Sequence, residues 1–233
     1  LYSVLLILIS LKLSPQNSTD SLRTLIEKEQ NSKNKIDLLL QISAIEKNKK
    51  IALEYVIQAN KIQKEINIPF SEKTGTILAS LYEENYEHYD ALVIYDSLLQ
   101  YYIERKDTVN ILNTLISKAK INLRKGTYDK SVEYFETAKQ LSSKYTNDTI
   151  RHHVLRNIGH FHMIINQDFS KAGNYFSESF KIAKRRNIPG CLIKSYIDQA
   201  RLSRRIKKYD EGILYIDSAY HIMKNTGDTA LFN

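Results

Sequence analysis

The amino-acid sequence predicts an all-α fold of antiparallel helix pairs that stack on one another. The first observation is composition: 233 residues include only seven glycines and three prolines, whereas strands joined by tight turns need many more of both. The second is a pattern of small and bulky residues, at helical spacing, that returns about every 40 residues. Together they favour long helices, short loops and a repeated architecture.

The repeated pattern is a small residue, a bulky residue four positions later, and a small residue or Leu three positions after that. Ser131, Phe135 and Ala138 show it most clearly, and successive occurrences begin 39 to 41 residues apart. The five first residues are Ala52, Ala91, Ser131, Ala172 and Gly212. Because small side chains let two helices approach closely, we expect each of these residues to face a partner helix.

A second small residue precedes the pattern by 12 or 13 positions, on a separate helical segment. These residues are Ala79, Ala119, Gly159 and Ala200. We therefore predict helical hairpins in which, for example, Ala119 lies against Ser131 while Phe135 fills the space beside them. One hairpin cannot bury its own apolar face, so neighbouring hairpins must stack.

Short connectors repeat with the helices. Asn-Ile-Pro occurs at 67–69 and 187–189, and Asp-Thr occurs at 107–108, 148–149 and 228–229. Proline stops a helix because it lacks an N–H and clashes with the preceding turn. An Asp before a helical segment accepts hydrogen bonds from the unpaired N–H groups of its first turn. The connectors therefore predict where helices end and begin.

These features resemble the tetratricopeptide repeat (TPR), in which W-x2-L-G-x2-Y on helix A leads to A-x3-F-x2-A on helix B. "NIG" at 157–159 is similar to the first half, and "YDKSVEYFETAKQL" at 128–141 to the second. Tyr128, Phe169 and Tyr209 match the aromatic residue that opens helix B. The resemblance implies a right-handed superhelical solenoid. Its period near 40, rather than about 34, is similar to exported bacterial TPR sensor and regulator proteins.

The resemblance also organises the chain into segments. Residues 33–225 form a TPR-like array of about five hairpins, 17–32 form an N-terminal capping helix, and 226–233 begin a further, truncated repeat. Residues 1–16 are interpreted as a signal peptide, because their apolar stretch is too short to span a bilayer. A core helix or an uncleaved anchor is the alternative. We expect an exported protein, periplasmic or associated with the cell envelope, that meets a membrane only through this segment or a missing C-terminal span.

No catalytic signature occurs in the sequence. It lacks the glycine-rich phosphate loops and the G-x-S-x-G elbow of serine hydrolases. Cys191 is the only cysteine. We interpret it as a small, semi-buried thiol, and a reactive thiolate at the start of a helix is the alternative. His152, His153, His160 and His162 crowd one helix at spacings unsuited to a shared metal, so they are predicted to line a groove. We therefore predict that the protein is not an enzyme and that it binds no cofactor or metal ion.

The net charge of +8 is concentrated near the C-terminal end. Between Lys181 and Lys208, ten Lys and Arg residues stand against one acid, Asp198. A local basic patch attracts acidic partners. Nucleic acid is the alternative partner, but a basic stripe alone is weak evidence for it, and a signal peptide disfavours it.

In TPR arrays, helix A lines the concave groove, and the resemblance assigns groove positions in this sequence. The predicted groove residues are Asn113, Lys120, Arg124, His153, Arg156, His160, Lys194, Arg201, Arg204 and Arg205. They predict a groove that holds an acidic protein or peptide segment through charge-assisted hydrogen bonds. A solvated helix surface without a ligand is the alternative.

Two functions follow from this resemblance. The first is a non-catalytic TPR scaffold that binds proteins or peptides through its concave helix-A groove. The second is the sensor portion of a larger bacterial signal-transduction protein, such as a histidine kinase or a LuxR-like regulator.

Overall fold

The structure is a computed structural model that describes residues 15–145 and 147–226. The first 14 residues of the predicted signal peptide, and the predicted truncated repeat after Thr226, lie outside that range. All regular secondary structure in the described residues is α-helical. The helices are α1 (Pro15–Lys28), α2 (Ser32–Ile45), α3 (Lys49–Glu65), α4 (Glu72–Glu84), α5 (His88–Glu104), α6 (Thr108–Arg124), α7 (Tyr128–Ser143), α8 (Asp148–Ile164), α9 (Phe169–Arg186), α10 (Pro189–Arg205) and α11 (Tyr209–Thr226).

The helices divide into two compact units. The N-terminal unit ends at Arg105, and the C-terminal unit begins at Lys106. The N-terminal unit contains α1 and the hairpins α2/α3 and α4/α5, and the C-terminal unit contains the hairpins α6/α7, α8/α9 and α10/α11. The predicted all-α class of helix pairs is confirmed. None of the described helices combines the length and apolar character that crossing a membrane requires.

Helix starts follow the predicted signals in most hairpins. The second helices α7, α9 and α11 begin at Tyr128, Phe169 and Tyr209, the aromatic residues assigned to that position. Asp107 caps α6 as expected, since its carboxylate accepts a hydrogen bond from the Asn110 amide at 3.1 Å. This bond satisfies one of the N–H groups that have no partner within the helix.

Two connectors work differently from the prediction. Asn147, rather than Asp148, caps α8, because its side chain accepts hydrogen bonds from the backbone N–H groups of Thr149 and Ile150. Asp148 is the first residue of α8 and binds Arg185 and Arg186 instead. In the second Asn-Ile-Pro connector, Asn187 ends α9 with a left-handed backbone (φ 48°), which Asn adopts more readily than most residues.

Helix α2 lacks a recognisable helix-A pattern in the sequence, yet it is a regular helix. The reason is that it is buried on two sides. Leu38 and Ile42 pack with Leu22 of α1, while Ile36 and Leu39 pack in the core shared with α3 and α4. A helix covered on two sides carries apolar residues around most of its circumference and therefore shows no narrow stripe.

Small residues bring the two helices of each hairpin together in the C-terminal unit. The Ser131 hydroxyl donates a hydrogen bond to the Ala119 carbonyl oxygen at 2.9 Å, which confirms the predicted contact. A Cβ added to Gly212 would lie 3.5 Å from the Ala200 carbonyl oxygen. At Gly159 the approach is closer still, because the Phe176 ring occupies the space that a side chain would need.

In the hairpins α6/α7 and α8/α9, the bulky residue of the pattern is buried and packs against the first helix of the following hairpin. Phe135 on α7 is 3% exposed, and its ring lies 5.6 Å from the ring of Phe161 on α8. Phe176 on α9 shares an apolar cluster with Leu202 on α10. Burial of these side chains therefore joins each hairpin of the C-terminal unit to the next one.

Phe135→Ala tests this packing. Removing a buried ring should lower the free energy of unfolding by about 3–5 kcal/mol, because apolar burial is lost and a cavity remains. Chemical denaturation followed by circular dichroism measures the change. Val132→Ala on the same helix is the control, because Val132 is exposed; equal losses for both variants would contradict the assigned register.

Gly159→Ala tests the close approach. A Cβ there would lie 2.5 Å from Phe176 Cε1, so we expect a loss of about 1–3 kcal/mol from overpacking. Gly190→Ala on α10 is the matched control, because no atom lies within 4 Å of the added Cβ. The double variant Gly159→Ala/Phe176→Leu should recover part of the loss, and a stable Gly159→Ala protein would refute the steric argument.

Candidate partner-binding groove

Three helices of the C-terminal unit lie side by side. They are α6, α8 and α10, the first helix of each hairpin, and α8 contacts both of the others. This arrangement follows from hairpin stacking, since equivalent helices of successive repeats form one layer. Their common surface carries most of the predicted groove residues.

A cavity of about 390 Å³ lies at the centre of this surface and is called the central cavity here. Basic residues from all three helices meet there, together with aromatic and aliphatic side chains. The lining residues are Lys120, Leu123, Arg124, Phe135, His153, Arg156, Asn157, His160, Phe161, Ile164 and Arg201. Six of the ten predicted groove residues therefore share one cavity.

A second cavity of about 340 Å³, the lateral cavity, adjoins the first. Two more predicted groove residues, Asn113 on α6 and Lys194 on α10, line it. His153 and Arg156 line both cavities, so the two cavities are neighbours on the surface formed by α6, α8 and α10; we call them together the groove.

A buried carboxylate fixes the position of an arginine in the middle of the groove. Asp198 on α10 is fully buried. Arg156 on α8 donates two hydrogen bonds to its carboxylate: one from Nε to Oδ2, and one from Nη2 to Oδ1 at 3.0 Å. His160 Nε2 lies 2.9 Å from Oδ1 of the same carboxylate, and Arg201 Nη1 lies 3.9 Å from it. Two parallel bonds fix the plane of a guanidinium, so Asp198 determines where Arg156 stands between the two cavities.

The charge on Asp198 is kept despite its burial. Burial by itself raises the pKa of this carboxyl, but hydrogen bonds from His160 and Arg156, together with the charge of Arg156, outweigh burial and lower the pKa. Asp198 is therefore an ionised carboxylate beside the cations of the groove.

Two histidines near Arg156, His152 and His153, are neutral at pH 7 because their pKa values are lowered. Burial, followed by the charge of Arg156, lowers the pKa of His152 to about 4. Burial, followed by the charge of Lys120, lowers the pKa of His153 to about 4. His152 lies 2.9 Å from the Ser195 hydroxyl, so its ring is paired although it is buried.

Some predicted residues lie elsewhere. Arg204 lines a separate cavity between α10 and α11, and Arg205 lines neither that cavity nor the central and lateral cavities. His162, interpreted as a groove residue, instead stacks on Tyr175 with the ring centroids 5.5 Å apart. The reason is helical geometry: two residues after His160, a side chain points to nearly the opposite side of α8.

The basic residues between Lys181 and Lys208 do not all lie on the same surface. Arg185 and Arg186 end α9 and pair with Asp148, so they do not contribute to the groove. Cys191 is buried, and burial raises the pKa of its thiol, which argues against the reactive thiolate. In the described part of the chain, no group of three or more His, Cys, Asp or Glu residues is arranged to hold a metal ion.

Sequence reasoning missed the role of Asp198 and the apolar wall of the central cavity. The sequence did contain a signal: Asp198 is the single acid of the basic segment between Lys181 and Lys208. A lone carboxylate among many cations is expected to form an ion pair with one of them. Leu123 and Ile164 lie one turn or less from predicted positions, where a half-buried and an exposed aliphatic side chain give no distinct sequence pattern.

Comparison with known proteins supports the fold. No protein-family model and no curated protein sequence matches the chain. Among solved structures, the apo form of the quorum sensor NprR from B. thuringiensis is similar with a TM-score of 0.69 and 17% identity over 90% of this chain. The chain spans 59% of NprR, and NprR in complex with its cognate peptide NprX gives a TM-score of 0.67.

Two further structures extend the comparison. The apo form of RapI has a TM-score of 0.68 and 13% identity, over 90% of this chain and 60% of RapI. Kinesin light chain TPR-like repeats from Podosopora anserina have a TM-score of 0.59 and 15% identity, over 86% of this chain and the whole of that one. The protein is therefore a TPR-like repeat protein in fold.

The neutral histidines predict an acid-sensitive C-terminal unit. An unfolded histidine has a pKa of about 6.5, so the unfolded chain binds more protons than the folded chain between about pH 6.5 and pH 4. Folding stability is therefore complete above this range and falls as the pH is lowered through it.

Urea unfolding measured at about pH 7 and about pH 5 should show a loss of about 2 kcal/mol from His152 alone. His152→Asn should reduce this pH dependence, whereas His221→Asn, at an exposed position on α11, should leave it unchanged. Equal pH dependence in all three proteins would contradict the burial argument.

Proposed function

We propose that this protein is a non-catalytic scaffold whose groove binds an acidic segment of a protein or peptide. One observation carries the proposal: cations from three separate hairpins converge on a single cavity of about 390 Å³. A solvated helix surface gives no reason for such convergence, because exposed charges on separate helices normally spread apart.

The cations differ in what they offer a ligand. Arg156 lines the cavity, and two of its five N–H donors are bonded to Asp198. Lys120, Arg124 and Arg201 line the same cavity and carry permanent charge. Since His153 is neutral, binding depends on the lysine and arginines, which attract carboxylates through charge-assisted hydrogen bonds.

The apolar wall adds a second requirement. Ile164 is 51% exposed and, with Leu123, lines the same cavity as the cations. A ligand that combines a carboxylate with an aliphatic or aromatic side chain would therefore bury apolar area as well as pair its charge. This combination favours a peptide over a small inorganic anion.

The similarity to NprR supports a peptide ligand, because NprR has been solved with its cognate peptide NprX. It also supports the second candidate function, the sensor portion of a larger bacterial signalling protein. NprR is a quorum sensor, and an equivalent role here would require ligand binding to alter an output elsewhere. A reporter assay with the complete gene product, with and without peptide, distinguishes the sensor from the scaffold.

The groove is tested with the double variant Lys120→Gln/Arg201→Gln, which removes two cations from the central cavity. The probe is a fluorescein-labelled ten-residue peptide of alternating Glu and Leu, measured by fluorescence anisotropy at low salt. Losing two charge-assisted contacts should raise Kd at least about tenfold.

The control is Arg205→Gln/Lys207→Gln, which removes the same charge from exposed positions. It should change Kd by less than about twofold if contact rather than net charge matters. If both double variants weaken binding equally, or if the wild-type chain does not bind the probe, the groove is not the binding site.

A further inference from the structure

His153 on α8 stands between the two cavities of the groove. It lines both the central and the lateral cavity, as does Arg156, three residues later on the same helix. Residues three apart on a helix are neighbours on one side, with their Cβ atoms about 5–6 Å apart. A ligand carboxylate that pairs with Arg156, from either cavity, therefore lies close to the His153 ring.

The charged groups that act on the His153 ring come from three helices. They are Lys120 on α6, Arg156 on α8 and Lys194 on α10, and each of them disfavours an added positive charge. Burial and these cations lower the pKa of His153 to about 4, so the ring is neutral at pH 7. The other charged or titratable residues that line the two cavities are Arg124, His152, His160, Cys191 and Arg201.

The other two histidines of the groove already have partners. His152 is 2% exposed and lies 2.9 Å from the Ser195 hydroxyl. His160 Nε2 lies 2.9 Å from the Asp198 carboxylate, which shows that a histidine and a carboxylate pair within this groove. His153 is only half-buried and borders the space that a ligand would fill. It is therefore the histidine that an incoming carboxylate meets.

A carboxylate beside His153 reverses the balance of charge at the ring. An opposite charge within about 6 Å favours the protonated form and raises the pKa of a histidine by about 1–3. The protonated ring also offers the carboxylate a second N–H donor, because both nitrogens of a histidinium are donors. Protonation of His153 and binding of the carboxylate therefore stabilise each other.

We propose that the groove binds a proton together with its acidic ligand, and that His153 takes up this proton. This role rests on the proposed function, because it needs an acidic ligand in the groove, and it adds a form of regulation. When a complex binds more protons than its separate components, lowering the pH strengthens binding. The ligand's own glutamates stay ionised above about pH 5.5, because their ordinary pKa is about 4.3.

The fluorescein-labelled peptide of alternating Glu and Leu is again the probe, titrated with the full chain by anisotropy at about pH 7.5 and about pH 5.5. If the ligand raises the pKa of His153 by about two, Kd should fall about fourfold between these pH values. His153→Gln should leave a change of less than about 1.5-fold. His221→Gln, at an exposed position on α11, controls for general charging of the protein in acid and should retain the fourfold change.

Isothermal titration calorimetry counts the protons, since the binding enthalpy measured in buffers of different ionisation enthalpy gives the proton uptake. At about pH 5.5 the wild-type chain should take up about 0.7 proton more per bound peptide than His153→Gln, and at about pH 7.5 less than about 0.1 more. A second peptide, with cysteic acid in place of Glu, stays charged at both pH values and should give the same uptake. Circular dichroism at both pH values checks folding, and His153→Asn replaces the Gln variant if that variant is unfolded.

The outcomes separate proton uptake from ligand binding. If the wild-type chain binds the probe at neither pH, both the proposed function and the role of His153 are wrong. If it binds at about pH 7.5 but shows equal Kd and no proton uptake at about pH 5.5, only the role of His153 is wrong. An uptake that persists in His153→Gln, that is lost in His160→Gln instead, or that disappears with the cysteic acid peptide would also overturn that role.

Discussion

The close approach of two helices at small residues is the constraint on which the rest of the C-terminal unit depends. Ser131 reaches the backbone of Ala119, and Gly159 lies directly under the Phe176 ring. Larger side chains at these points would push the helices apart, because the distance between packed helices is set by the residues at their contact. The bulky residue beside each contact then fills space against the next hairpin, so hairpin geometry and stacking are fixed together.

Stacking in this register also determines where charge can gather. Because α6, α8 and α10 form one layer, Lys120, Arg156 and Arg201 meet around one cavity although more than 30 residues separate each from the next. Bringing cations together raises electrostatic energy, and a buried carboxylate alone would be costly. The contact of Asp198 with Arg156 and His160 offsets both costs and at the same time joins α8 to α10.

The same repeat position has different surroundings within the C-terminal unit. Within the stack, the positions of Phe135 and Phe176 are buried, and the polar side of each first helix faces the groove. On α11 the corresponding residue, Ile216, is exposed beside Arg201 and Arg204. Burial of this repeat position therefore depends on the first helix of a following hairpin, because each unit contacts only its neighbours.

Much of this arrangement can be predicted from the sequence because it depends on short-range spacing. The period of about 40 residues, the aromatic residues that open α7, α9 and α11, and the contact of Ala119 with Ser131 all follow from residues at fixed offsets. Eight of the ten predicted groove residues line the two adjoining cavities, since helix geometry fixes which side of a helix a residue occupies.

Other features could be seen only in the tertiary structure. Some depend on contacts between residues distant in sequence, and others on which of two adjacent residues takes a given role. Spacing could not choose between Asn147 and Asp148 as the α8 cap, and α2 showed no pattern because it is buried on two sides. Asp198 meets Arg156 across 42 positions, and Arg204 turns toward α11 rather than the groove. The sequence by itself determined the helices, their pairing and their repeat, which are local; only the packed structure decided which charges neutralise one another, because that depends on distances between helices.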